Sequence, residues 1–340
     1  MKILITGAAG FIGFHLVNRL ITEGFEIVGL DNINDYYDVN LKYARLKEQG
    51  ISMTKIKYGE LVQSKELTNY QFIKLNLEDK EQIDSLFQNE KFDIVINLAA
   101  QAGVRYSIEN PYAYVNSNLV GFMNILEACR YNPVQHLYYA SSSSVYGKNK
   151  KVPFSEKDNV DSPVSLYAAT KKANELLAAS YHNLYQIPCT GLRFFTVYGP
   201  WGRPDMAYYS FTEAILKEQV IKVFNNGNLK RDFTFIDDII NSLALLIEVD
   251  QREITKLNRV LNIGNNKPEN LLDFINILEN ELRIEAKKEY LPMQQGDVYE
   301  TYADISQLIK ITQYNPKVSL QEGLKKFISW YKDYHKTVTR

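Results

Sequence analysis

Two side chains able to handle protons stand one helical turn apart in Tyr167–Ala168–Ala169–Thr170–Lys171. The i, i+4 spacing puts phenol and ammonium on one helix face. A cation that close favours the phenolate and lowers the phenol's pKa from its ordinary value of about 10. The result is a base usable near neutral pH. Upstream, Ser141–Ser142–Ser143–Ser144 places a row of hydroxyls after the apolar run Gln135–Ala140. Either feature alone is ordinary: an arbitrary Tyr-x-x-x-Lys is most often a solvated pair, and serine loops are common. Their meaning depends on the elements that position them.

Those elements begin at the N-terminus, with MKILITGAAGFIGFH. Lys2 to Thr6 has the apolar, β-branched character of a buried parallel strand. Gly7, Gly10 and Gly13 follow at intervals of three, and an amphipathic helix is expected from about Phe11 to Glu23. A strand that feeds a helix through glycines gathers backbone N–H groups and a positive helix end at one spot, which attracts a pyrophosphate. Gly7 permits the tight turn, Gly10 lets a ligand approach the backbone, and Gly13 lets helix pack on strand. A second apolar strand, Phe25 to Leu30, ends at Asp31, where an acid hydrogen-bonds the ribose hydroxyls of a dinucleotide. That carboxylate repels a 2′-phosphate, so NAD is expected rather than NADP. The positive nicotinamide ring would lower the Tyr167 pKa further.

Beyond Asp31 the pattern loosens from Asn32 to Tyr70, although Val39 to Glu48 keeps a helical period with Lys42, Arg45 and Lys47 on a polar side. Gln71 to Leu75 is expected as the third strand, with Asn76 at its end able to bond an adenine. Lys80 to Gln88 reads as a helix, Asp93 to Leu98 as the fourth strand, and Ala99 to Gly103 as a small-residue turn against which a flat ligand can lie. Long helices are expected over Pro111–Arg130 and Asp161–Tyr185, with Gln135–Ala140 and Pro188–Phe195 as the fifth and sixth strands. This alternation predicts an α/β fold: a Rossmann-type doubly wound parallel sheet with a smaller C-terminal α/β lobe. Residues 1–196, with contributions from 232–264, form the expected NAD domain, and 197–340 the lobe. After Leu282, polar loops are expected before a final helix, Leu320 to Tyr334.

Composition narrows the function. The 340 residues carry 39 Lys+Arg against 40 Asp+Glu, so the basic excess of a nucleic-acid binder is missing. Cys129 and Cys189 lie in apolar segments without CxxC spacing and read as reduced thiols of a cytoplasmic protein. The apolar start breaks at Gly7 and does not read as a signal peptide. No apolar run is long enough to span a bilayer. His15, His136, His182 and His335 lack ligand spacing, so no metal is expected.

Taken together, GAAGFIG, SSSSVYG, YAATK and RDFTFIDD resemble the extended short-chain dehydrogenase/reductases that modify nucleotide sugars. Within them, DNINDYYDVNLKYARL, AAQAGVRYSIENPYAYVNSN, RFFTVYGPWGRPDM and MQQGDVYETYADIS resemble the UDP-glucuronate 4-epimerases. The resemblance implies Tyr167 as base, Lys171 as its partner and Ser142 as the hydroxyl that orients the sugar 4-OH. It implies Gly7, Gly10, Phe11, Ile12, Gly13, Asp31, Asn32, Asn76, Leu77, Leu98, Ala99, Ala100, Gln101 and Asn116 around NAD. The family often has Asp where Asn76 stands. For the UDP-sugar it implies Arg105, Ser142, Ser143, Ser144, Thr196, Arg203, Val223, Arg231, Gln294 and Asp297, with Thr196 and Arg203 on the uronate carboxylate. It also implies a homodimer paired through the two long helices.

The implied reaction interconverts UDP-glucuronate and UDP-galacturonate through a 4-keto sugar. Related dehydratases and decarboxylases carry acids before VYG, where this chain has Ser143 and Ser144. Two alternatives stand beside it: a 4-epimerase of UDP-glucose or UDP-N-acetylglucosamine, and a non-catalytic NAD sensor.

Overall fold

Short apolar runs become strands here wherever helical periods separate them. The computed structural model describes residues 1–253, 257–293 and 299–338. Its strands are β1 (Lys2–Thr6), β2 (Glu26–Asp31), β3 (Leu61–Gln63), β4 (Tyr70–Lys74), β5 (Ile94–Asn97), β6 (His136–Ser142), β7 (Cys189–Phe194), β8 (Thr196–Tyr198), β9 (Val220–Phe224), β10 (Lys230–Phe235), β11 (Asn258–Ile263), β12 (Pro268–Asn270), β13 (Lys287–Leu291) and β14 (Glu300–Thr301). One sheet runs in the order β11-β7-β6-β5-β1-β2-β4-β3. β1 lies between β2 and β5 and is parallel to both. β4 continues parallel from β2, and β6 from β5. The chain therefore winds outward from β1 on one side, returns beside β1 as β5, and winds outward on the other. Ligands of such sheets bind where that direction reverses, at the C-terminal ends of the strands.

The residues group into two compact units. The first comprises Met1–Asn149, Asn159–Arg193 and Leu243–Leu261, and the second Lys150–Asp158, Phe194–Ser242 and Asn262–Arg340. In the first, Leu4, Val28, Ile73, Val95 and Leu137 from the sheet share a core with Phe87 and Phe122 from helices Lys80–Glu90 and Gly121–Tyr131. Strands covered on both faces are apolar on both, and β5 is buried along its whole length. In the second unit β10 is parallel to β8 and β14 and antiparallel to β12, while β9 pairs parallel with β13.

Several sequence expectations are corrected. β3 lies inside the stretch read as loose and adds an antiparallel edge to β4, so the strand expected third is the fourth. Lys42 and Arg45 are not on a polar side: they are 5% and 0% exposed. Arg45 donates to the Ala9 carbonyl at 2.8 Å and to the Tyr37 hydroxyl at 2.8 Å, and Lys42 donates to Asn34 Oδ1 at 2.7 Å. The turn after β1 and the Asn34–Tyr37 segment supply acceptors that make burial of these long side chains tolerable. The helix expected from Asp161 starts at Leu166, capped by Ser165, whose hydroxyl accepts from Ala168 N–H at 3.1 Å. Pro163 disfavours helical backbone in the residue before it. The helix expected over Pro111–Arg130 contains a π-helical turn, Val115–Val120, between Pro111–Tyr114 and Gly121–Tyr131. The polar stretch after Leu282 holds β13, β14 and a helix, Ser306–Thr312.

Candidate active site

The glycine turn has no room for side chains. Gly7 has φ +72°, and a Cβ there would lie 2.9 Å from Ala99 N, at the end of β5. A Cβ on Gly13 would come within 2.1 Å of the Gly7 carbonyl. Gly10 is the N-cap of helix Phe11–Thr22 and offers no side-chain cap, so the helix end is left to a ligand. Phe11 is buried and Ile12 half-buried behind it. At the end of β2, Asp31 accepts from Ala9 N–H at 3.2 Å and Ile33 N–H at 2.8 Å, and Lys42 Nζ stands 3.9 Å away. These contacts fix the carboxylate at the strand end while leaving it acceptor capacity. Asn32 accepts from Asn34 N–H at 3.1 Å. Asn76 is half-buried at the end of β4, and the carbonyl of buried Leu77 accepts from Asn124 at 2.8 Å. The cradle and the placed acid fit a dinucleotide.

At the end of β5, Leu98 and Ala99 N–H groups bond the Thr6 carbonyl (3.3 Å) and hydroxyl (3.0 Å), and Ala100 follows half-buried. Gln101 is held by a buried asparagine of the π-helical turn. Asn118 Oδ1 accepts from Gln101 N–H at 2.8 Å, and its amide donates to the Gln101 carbonyl and to Thr170 Oγ1, both at 3.1 Å. Asn116 is exposed, because the wide π turn directs Asn118, and not Asn116, inward. Arg105 is exposed at the start of the short helix Tyr106–Glu109.

Tyr167 and Lys171 sit on the first turns of helix Leu166–Tyr185. Lys171 is 3% exposed and donates to the Ala140 carbonyl at 2.9 Å, with its Nζ 6.0 Å from the Tyr167 ring centre. Burial pushes its ammonium down to about 7. The Tyr167 ring meets that of Tyr114 edge-on, with centres 6.1 Å apart, and the Tyr114 hydroxyl is fixed by the Ala102 carbonyl at 2.8 Å. Ser142 closes β6, and its Oγ lies 3.2 Å from both the N–H and the hydroxyl of Ser144. Ser143 and Ser144 are half-buried in the turn that follows. Tyr167, Lys171 and the serines thus share the strand-end side of the sheet with the glycine turn.

The second unit holds the other expected residues. Thr196 on β8 registers with Phe233 on β10, two residues beyond Arg231. Arg231 donates to the Lys230 carbonyl at 2.9 Å and the Tyr299 carbonyl at 3.3 Å. Beside it Asp232 is fully buried and accepts from Thr234 and from the N–H groups of Asn265, Asn266 and Ala303. Burial nevertheless pushes its carboxyl up to about 6. Val223 is buried on β9. The Arg203 backbone N–H donates to the Tyr208 hydroxyl at 3.0 Å, and its guanidinium pairs with Asp205 through Nε at 3.0 Å. Gln294 and Asp297 lie outside the described residues. Among the described residues no cluster of His, Cys, Asp and Glu is placed to hold a metal ion, and no helix is long and apolar enough to cross a membrane.

The glycine turn, Asp31 at the end of β2 and the Tyr167–Lys171 pair together define a class. The model of the NAD dependent epimerase/dehydratase family matches residues 3–264, and the chain belongs to that family. It is 50% identical to protein CapI of Staphylococcus aureus, covering 99% of this chain and 100% of that one. It is 46% identical to UDP-glucuronate 4-epimerase 4 of Arabidopsis thaliana, covering 98% of this chain and 76% of the relative. Among solved structures it matches the UDP-glucuronic acid 4-epimerase from Bacillus cereus in complex with UDP-glucuronic acid and NAD. That match has a TM-score of 0.86 and 34% identity over 98% of this chain and 100% of that one.

Proposed function

We infer that this chain is an NAD-dependent UDP-glucuronate 4-epimerase that interconverts UDP-glucuronate and UDP-galacturonate. The observation that carries the reading is the placement of Ser142, Tyr167 and Lys171 at the strand ends that also carry the glycine turn and Asp31. Full-length likeness to UDP-glucuronate 4-epimerases supports the sugar class.

In this reading Gly7, Gly10, Phe11, Ile12 and Gly13 hold the pyrophosphate, Asp31 and Asn32 the adenosine ribose, and Asn76 and Leu77 the adenine. Leu98 to Gln101 line the nicotinamide half, with Asn116 nearby. NAD, when bound, supplies reversible hydride acceptance at C4 of the sugar. Ser142 orients the 4-OH, and Tyr167 takes its proton on oxidation and returns it on reduction. Lys171 holds a positive charge near the phenolate and bonds the nicotinamide ribose. Arg231 and Val223, with Gln294 and Asp297, anchor the nucleotide while the 4-keto sugar turns over to present its other face. That ketone stands β to the C6 carboxylate, so the intermediate is prone to lose CO₂. In this reading Arg203, supported by a hydroxyl of Thr196, Ser143 or Ser144, holds the carboxylate away from the alignment that decarboxylation needs, and Arg105 is a further substrate-binding residue. A guanidinium fork suits that task better than an ammonium.

Residues 1–196 with 232–264 serve NAD, and 197–340 mainly the UDP-sugar. We further infer a cytoplasmic homodimer. Leu119, Val120, Met123, Ala173, Leu176 and Leu177 form an apolar face on the two long helices of the first unit, with Leu176 60% exposed. Both cysteines are free and buried, as in a reducing compartment.

The test is a panel of UDP-sugars incubated without added NAD and followed by NMR. UDP-galacturonate should form from UDP-glucuronate. Turnover of UDP-glucose or UDP-N-acetylglucosamine alone would move the assignment to the neutral sugars, and turnover of none would leave a sensor.

A further inference from the structure

Beneath the serine run lies a buried ion pair that the mechanism leaves unused. Arg193 on β7 points its fork at Glu175: Nε donates to Oε1 at 2.8 Å and the second nitrogen to Oε2 at 2.9 Å. The two side chains are 3% and 6% exposed. A buried pair of this kind seldom adds net stability over apolar packing, so its presence calls for another explanation.

Its other partners supply one. Glu175 Oε1 also accepts from Ser141 Oγ at 2.7 Å, and Arg193 donates to the Tyr146 hydroxyl at 3.1 Å. Ser141 directly precedes Ser142, and Tyr146 closes the turn after Ser144. The serine run is therefore anchored at both ends on one ion pair. Glu175 lies one turn beyond Lys171 and two beyond Tyr167, so the three share one stripe of the helix. Consecutive residues of β6 grip consecutive turns of that stripe: the Ala140 carbonyl takes Lys171, and the Ser141 hydroxyl reaches Glu175. A strand advances about 3.3 Å per residue and a helical turn about 5.4 Å, so two grips of this kind set both the slide and the tilt of helix on strand.

We propose that Glu175 and Arg193 are positioning residues that hold Ser142 and Lys171 in register with Tyr167. The proposal rests on the functional reading above for its catalytic consequence.

Four variants test it: Glu175→Gln, Arg193→Lys, Ser141→Ala and Tyr146→Phe. The last two remove only an anchor and leave the ion pair intact, so they carry the test if the first two do not fold. Turnover is expressed per NAD-loaded site. Glu175→Gln should lower kcat by about tenfold to about a hundredfold, the scale on which small misplacements act, with KM for UDP-glucuronate within about twofold. The acid limb of the kcat–pH profile should move to higher pH, because a displaced Lys171 no longer favours the phenolate. Ser141→Ala and Tyr146→Phe should move kcat and limb the same way by less.

A readout independent of turnover is reductive methylation of the cofactor-stripped protein, mapped by mass spectrometry. Lys171 should resist the reagent in the parent and react in Glu175→Gln, or in Ser141→Ala if that variant alone folds. Variants that lose thermal stability but keep kcat per site, the acid limb and Lys171 protection would overturn the proposal. Parent enzyme inactive on every UDP-sugar would sink the functional reading and still leave the methylation result to decide this one.

Discussion

The ε-ammonium of Lys171 donates to the Ala140 carbonyl at 2.9 Å, which ties the helix carrying Tyr167 to the strand end carrying Ser142. The lysine is thus held by the scaffold before any ligand arrives. The chemistry then falls to a phenol one helical turn away, and the variants that follow separate the two roles.

Tyr167→Phe keeps the ring that packs on Tyr114 and removes only the hydroxyl. Epimerisation should fall by about a thousandfold, within the usual range for loss of a general base, while NAD released on denaturation stays at the parental level. A parental rate measured by NMR would remove Tyr167 from the mechanism.

Lys171 gives the cofactor-free protein a pH signature. Its folded value of about 7 lies below its ordinary 10.5, with burial as the cause. Below that value the lysine is charged in folded and unfolded chains alike, and burying the charge costs stability in full. Between the two values the folded protein binds fewer protons than the unfolded chain, so stability rises with pH across that window. Lys171→Met should abolish the rise. Urea unfolding of stripped protein on either side of neutrality measures it.

Arg203 already holds one carboxylate, that of Asp205. Arg203→Lys should raise KM for UDP-glucuronate by about tenfold, the loss of one good charged contact, and should release more UDP-pentose from the decarboxylated ketone. Unchanged KM and unchanged pentose, read by NMR, would assign the carboxylate to other residues.

Leu176 is exposed on the apolar face of helix Leu166–Tyr185. Leu176→Glu should convert a dimer into a monomer, since an unpaired charge at the centre of such a face opposes its burial. Light scattering after size exclusion gives the mass. A parent that elutes as a monomer would end the homodimer reading.

Gly13→Ala drives a methyl group toward the Gly7 carbonyl, with 2.1 Å available. The helix must shift off the strand, so the variant should lose bound NAD and melt lower. Retention of stoichiometric NAD would show that the turn tolerates the shift.

Much of this was legible in the sequence because local signals agreed with the global fold. Strand, spaced glycines, helix and Asp31 follow one another within the first residues, and each constrains the next. Harder to see was polarity that only tertiary structure satisfies. Lys42 and Arg45 look like surface residues until the Ala9 carbonyl, Tyr37 and Asn34 are placed beside them. Asn118 reads as a blemish in an apolar helix, yet it binds both backbone groups of Gln101. Glu175 and Arg193 sit in different elements, and nothing in their spacing announces the pair. β13 and β14 are short and polar, and they find partners in β9 and β10 that lie far away in the chain.

The π-helical turn at Val115–Val120 amounts to one surplus residue threaded into an otherwise regular rod. Excising a single amino acid there would restore regular winding locally, while the helices on either side kept their phase. Residues inside the turn, Asn118 among them, would shift against the Gln101 backbone, whereas Asn124 beyond it would keep the Leu77 carbonyl. A single-residue deletion there should therefore unfasten the loop after β5 and spare the packing of the helix that follows.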